Sequence, residues 1–209
     1  MSIRGLAGPS KTALVISECQ NGMTNPEYAT NKPLVEQVTS RRMIENIAAL
    51  AARLRPLGVP VFHVTIAAYP GFRAWKSNCL LAGSLTKRPL VIGDPSVDIH
   101  PLLTPEPDDY VVQRHRGLTS FHGTELEPLL NNLGIETVIM TGVSANVAIN
   151  GSTIEAVNRG FSVVMPQDCV AGATEETHNF MLENILRLLA TITTSDEVAA
   201  QLEAEGATS

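Results

Sequence analysis

Along the chain, short runs that are apolar at almost every position alternate with longer stretches in which apolar residues recur every three or four positions. The runs TALVIS (12–17), VPVFHVTI (59–66), YVVQ (110–113), TVIMTGV (137–143) and FSVVMP (161–166) are rich in β-branched residues. That pattern predicts strands apolar on both faces, as a sheet covered by helices on both sides requires. Between the first two runs, VEQVTSRRMIENIAALAARLRPLG (35–58) places Ile44, Ile47, Ala48, Ala51 and Leu54 at helical spacing, and Gly58 marks the stop. TELEPLLNNLG (124–134), NVAINGSTIEAVNRG (146–160) and TEETHNFMLENILRLLAT (174–191) predict further helices, and ITTSDEVAAQLEAEG (192–206) a short sixth strand and a final helix. The βαβα alternation predicts an α/β fold: a doubly wound, mostly parallel, three-layer sheet of five to six strands with right-handed crossovers. At 209 residues the expectation is one domain, 1–209, with the closing GATS frayed.

Residues 67–109 break the rhythm, being rich in Pro and Gly and weakly periodic. Long excursions of this kind are often lids or binding loops. From Ala68 to Gly93 the segment carries Arg73, Lys76, Lys87 and Arg88 and no Asp or Glu, inside a chain of net charge −6. It reads either as a positive rim that attracts an anionic substrate or as a solvated surface or subunit contact.

The acidic balance, with a pI near 5.4, argues against nucleic-acid binding by phosphate neutralisation. No stretch reaches the ~18 apolar residues of a membrane span, and the opening residues lack the apolar core of a signal peptide, so a cytoplasmic protein with no membrane partner is expected. Cys19, Cys79 and Cys169 are odd in number and lack ligand spacing, which suits a reducing compartment. His63 and His178 fall within strand and helix patterns and read as packing residues, while His100 and His122 stand in loops without metal spacing. No metal and no cofactor are assigned.

In open parallel sheets, ligands bind beyond the carboxyl ends of the strands. That rule brings together Glu18 and Gln20 after the first strand, Arg114, His115 and Arg116 after the third, and Ser144 to Ala148 after the fourth. Glu18 follows a buried strand directly, where burial disfavours a bare charge and suits the group to proton transfer with a basic partner. The alternative is an ion pair that only locks two strand ends. The turn GVSAN opens a helix with Asn146 as an N-cap, and its free N–H groups suit a carboxylate or a developing oxyanion. The substrate-binding set is Gln20, Trp75, Arg116, Phe121, Ser144, Asn146 and Ala148; the catalytic set is Glu18, Arg114 and His115.

The order of TALVISECQNGM, VVQRHRGLTSFHGTELEPLLNNLGIETVIMTGVSANVAI and GFSVVMPQDCVAG resembles the isochorismatase-like, or cysteine hydrolase, family over roughly residues 12–198. The resemblance implies a doubly wound α/β hydrolase of small molecules and homo-oligomers, dimers or tetramers. All three positions of the family's catalytic triad depart. Glu18 stands where the family has its base Asp, Arg114 or His115 where it has Lys, and Ala148 where it has the nucleophilic Cys. An alanine cannot form a thioester, which excludes amide cleavage by that route. Members that lack the cysteine, the isochorismatases, cleave a vinyl ether by protonating the enol carbon and letting water capture the oxocarbenium ion. The resemblance therefore implies Cys-independent acid–base hydrolysis at Glu18 of a small anionic or cyclic metabolite. The alternatives are a catalytically inactive member that binds a ligand or partner, and a hydrolase rewired onto Cys19 or Cys169.

Overall fold

Each apolar run becomes a strand. The computed structural model describes residues 2–206, and within them β1 (Thr12–Ser17), β2 (Val61–Ile66), β3 (Tyr110–Arg114), β4 (Thr137–Val143), β5 (Ser162–Pro166), β6 (Val170–Ala171) and β7 (Thr191–Thr193) form one sheet. Their order is β3-β2-β1-β4-β5-β7, and every strand pairing is parallel. The sheet has one strand more than the five to six expected. β5 pairs with the first half of β4, Thr137–Ile139, and β6 takes over at Gly142 and Val143. Two residues are too short to register as a hydrophobic run.

Side-chain alternation along the central strands builds the three layers. From β1, Leu14 and Ile16 enter one apolar cluster and Ala13 and Val15 the other; from β4, Ile139 and Val138 divide in the same way. The first cluster is closed by α2 (Lys32–Ser40), α3 (Met43–Leu54) and α8 (Ser195–Gly206), and the second by α5 (Leu126–Asn132) and α6 (Asn150–Asn158). Both faces of the sheet are thus dry, which is why the strands read as apolar throughout. Two shorter helices, α1 (Asn21–Thr24) and α4 (Leu80–Leu85), lie beyond the strand ends, and α7 (Glu175–Phe180) follows β6.

Three predicted helices are interrupted. The stretch 35–58 is two helices, broken at Arg42, whose backbone is left-handed (φ 51°). The Asn46 side chain holds the break by donating to the carbonyls of Arg41 (3.1 Å) and Asp168 (3.0 Å). The helix after β4 opens with a wide π-type turn, Ala145–Ile149, and the one after β6 passes through a similar turn at Met181–Ile185 and a tight one at Leu186–Leu188. The fraying expected at the chain's end falls on 207–209, outside the described residues.

At Gly142, which pairs with Ser17 at the end of β1, φ is 106° and a Cβ would overlap the Ser17 carbonyl. Only glycine fits there. That contact sets the distance between the ends of β1 and β4, from which the site is built.

Candidate active site

Glu18 is the first residue beyond β1. Its N–H still donates to the Val64 carbonyl (2.8 Å), so pairing with β2 continues while its left-handed backbone (φ 55°) turns the chain off the sheet. That conformation is uncommon for a residue with a Cβ, costs about 1–2 kcal/mol, and is of the kind that collects at functional sites. The side chain is nearly buried, 12% exposed, and its carboxylate accepts from Arg114 Nη2. Arg114 is the last residue of β3, two strands away, so the pair spans roughly 10 Å of sheet edge over the end of β2. Long side chains on both partners make the span possible. The second terminal nitrogen of Arg114 donates to the Gly117 carbonyl. The guanidinium is therefore committed to protein partners, as a buried one must be.

The pair opens onto a narrow cavity of about 70 Å³. Ser144, Val147 and Ala148, from the start of the helix after β4, form one wall with Val143. Met23 of α1, Leu34 of α2 with the preceding Asn31, and Leu81 and Leu85 of α4 form the apolar remainder; Leu118 and Arg88 complete the lining. The volume is well below the roughly 300–1,000 Å³ of pockets that enclose drug-sized ligands. Only a small molecule is accommodated.

Of the residues singled out from the sequence, Glu18, Arg114, Ser144 and Ala148 converge on this cavity. The others do not line it. Gln20 is completely buried and spent on the backbone: its amide donates to the carbonyls of Val97 (2.6 Å) and Ile66 (3.0 Å), and its oxygen accepts from the Ile66 N–H (2.7 Å). It ties the end of β2 to the excursion. His115, just past β3, has its Nδ1 against the Ala67 carbonyl (2.8 Å) and its ring stacked on Tyr69 (4.5 Å between centroids). Arg116 and Trp75 share a separate surface depression with Lys76 and His122, and the Trp75 indole donates to the Ala82 carbonyl (3.0 Å). Phe121 is a core residue, buried against Phe161 and under the Arg159 guanidinium (5.1 Å). Asn146 is not the N-cap; Ser144 holds that position, and Asn146 Oδ1 instead accepts from the Ala173 N–H (3.2 Å).

Of the basic residues in the excursion, Arg88 alone reaches the cavity, together with the leucines of α4. Asn31 and Leu34 lie outside the strand ends that the sequence singles out, whereas Arg88 belongs to the basic rim read there as attracting an anionic substrate. For Arg88, the run of basic residues without an acid was the available signal.

No thiol lines the cavity. Cys19 is buried with its Sγ directed at the Ser17 carbonyl (3.7 Å), and burial, reinforced by the charge of Glu18, pushes its pKa far up. Burial, with Asp168, does the same to Cys169. Cys79 is exposed and caps α4, its Sγ accepting from the Ala82 N–H (3.4 Å). None resembles an activated nucleophile. Among the described residues no three His, Cys, Asp or Glu stand together as a metal site, and no helix is long and apolar enough to cross a membrane.

An open parallel sheet with a carboxylate, a guanidinium and a helix start converging at its carboxyl edge defines a doubly wound α/β protein with a ligand site where that class places one. Residues 12–197 match the Isochorismatase domain, and the chain belongs to that family of hydrolases. Among its relatives are the uncharacterized isochorismatase family protein YecD of Escherichia coli O157:H7, 27% identical over 195 residues (90% of this chain, 94% of the relative), and the maleamate amidohydrolase of Pseudomonas putida, 25% identical over 192 residues (92% and 87%). The crystal structure of a cysteine hydrolase from Pseudomonas syringae pv. phaseolicola superposes with a TM-score of 0.86 at 20% identity, covering 97% of each chain, and so shares the fold.

Proposed function

We propose that this hydrolase acts on a small anionic metabolite by proton transfer at Glu18, without a covalent enzyme intermediate and without a cofactor. The observation that carries the reading is the Glu18–Arg114 pair facing a cavity whose nucleophile position holds only the Ala148 methyl group. An arginine neither gives nor takes a proton near neutral pH, so Glu18 is the proton-transfer group and Arg114 its positioning partner. The start of the helix at Ser144 adds the favourable end of a dipole, and N–H groups suited to a developing negative charge.

For a vinyl ether of the isochorismate type, Glu18 takes up a proton from solvent and passes it to the enol carbon, water adds to the oxocarbenium ion and returns a proton to the Glu18 carboxylate, and collapse of the hemiketal releases the alcohol and a keto acid. This remains the best named bond class; the bond type, and not isochorismate itself with its two carboxylates, is what is carried over to this small cavity. The relative from Pseudomonas putida is named for maleamate, a small carboxylate, which is consistent with an anion here. We further read the chain as a cytoplasmic homo-oligomer. The free cysteines fit the compartment, and Ile154 and Val157, exposed one turn apart on α6, supply apolar surface for self-association.

The test is turnover by the purified protein, read by mass spectrometry, against a panel of isochorismate-type vinyl ethers, small amides, cyclic imides and epoxides. The expected result is one bond class cleaved before and after iodoacetamide treatment. No cleavage by the folded protein would contradict the reading and favour an inactive member that binds a ligand or partner.

A further inference from the structure

The cavity does not balance its own charge. Glu18 and Arg114 cancel one another, and Arg114 has spent its second terminal nitrogen on the Gly117 carbonyl. Arg88 lines the same space and forms no ion pair among the described residues; its recorded bonds are those of its backbone, which donates to Leu85 (3.1 Å) and accepts from Leu90 (2.8 Å). Arg88 thus borders this cavity, and a smaller one beside Pro89 and Leu90, with no side-chain bond to another described residue. Around it the lining is apolar, with Leu34, Leu81 and Leu85.

Arg88 is also rooted rather than carried on a loose tip. Ala68 clamps the neck of the excursion, donating to the Leu90 carbonyl (2.8 Å) and accepting from the Ile92 N–H (2.9 Å), and Leu90 is buried. Two residues from that neck, the Arg88 backbone is held in a fixed place relative to Glu18 on the neighbouring strand end.

We infer that Arg88 determines specificity by binding the substrate's single carboxylate, so that the hydrolase takes a monocarboxylate with an apolar body and its scissile bond toward Glu18. One uncommitted guanidinium offers one bidentate site. A second carboxylate would be left without a partner in a space that also holds Glu18. The inference rests on the hydrolase reading for its orientation, and on the cavity alone for its charge preference.

Binding measurements separate the two. Isothermal titration uses isobutyrate, benzoate and cyclohexanecarboxylate, with isobutyramide and dimethylmalonate as the neutral and doubly charged counterparts, on wild type, Arg88→Gln and Arg88→Lys. At least one monocarboxylate binds wild type, loses roughly ten- to a hundredfold in affinity in Arg88→Gln, and is partly restored in Arg88→Lys. The amide and the dicarboxylate bind more weakly than isobutyrate. Thermal melting of Arg88→Gln stays near wild type, since no ion pair is removed. The inference is overturned if no monocarboxylate binds, if affinity is unchanged in Arg88→Gln, or if isobutyramide binds as tightly as isobutyrate. Arg88-dependent binding without turnover across the substrate panel would sink the hydrolase reading and leave this one standing; turnover indifferent to Arg88 would do the reverse.

Discussion

Two buried carboxylate–arginine pairs lie at opposite ends of the sheet. At the amino end, Asp109 accepts from Arg55 Nε (3.1 Å) and Nη2 (2.7 Å) and from the Glu106 N–H (2.9 Å), and lies 3.2 Å from His63 Nε2. Burial alone would push the Asp109 carboxyl up, but those bonds, led by Arg55, outweigh it and hold the group below the usual carboxylate range. Four bonds converge on this carboxylate, three of them on Oδ2, so it is tied to protein partners even though it borders a surface pocket. At the carboxyl end, the Glu18 carboxylate bonds Arg114 alone among the described residues and borders a cavity. The same chemical pair is a brace when saturated and a candidate site when it is left open on one side, and satisfaction rather than burial distinguishes them.

The brace can be broken first, with the largest expected effect on stability. Asp109→Asn leaves Arg55 and His63 short of their common partner and should cost on the order of 3 kcal/mol in urea unfolding while changing kcat/KM little. An equal loss of activity would mean that the two ends are coupled and the comparison is too simple.

A somewhat smaller effect is expected from His178, which is buried beside β6. Burial, with the charge of Arg41, lowers its pKa to about 4. The unfolded imidazole takes up a proton from about pH 6.5, whereas the native one stays neutral until about 4, so between these values the unfolded state binds more protons and stability falls as pH falls. The loss, on the order of 2–3 kcal/mol, should vanish from the pH-dependent melting curve in His178→Asn, and an unchanged curve would assign the acid sensitivity elsewhere.

The smallest effect sharpens the open end. Ala148→Cys restores a thiol to the cavity wall. The variant should be alkylated there by iodoacetamide, while turnover of the wild-type substrate falls less than about tenfold, since only a methyl-to-thiol change touches the wall. Complete loss of turnover would mean that Ala148 itself sets the reacting geometry.

These contrasts also show what a one-dimensional reading reaches. The strands were legible because both faces of the sheet are buried, and Glu18, Arg114 and Ala148 were legible because parallel strands deliver their carboxyl ends to one edge. Gln20 was misread since a polar residue beside a strand end looks the same whether it meets a ligand or the backbone of β2. Phe121 was misread because proximity to a site motif does not say which layer a ring enters. The break at Arg42 depends on Asn46 reaching Asp168, more than a hundred residues away. Arg88 lay in a segment without period, and only the folded neck at Ala68 brings it to the cavity.

The central claim is that Glu18, and no cysteine, performs the chemistry. Once a substrate is in hand, its most direct test is kcat/KM for Glu18→Gln beside that of the protein with Cys19, Cys79 and Cys169 all replaced by alanine. The account predicts a loss of roughly 10²–10⁴-fold in Glu18→Gln and retention of activity in the folded cysteine-free protein. Activity that survives Glu18→Gln but disappears with the cysteines would contradict it.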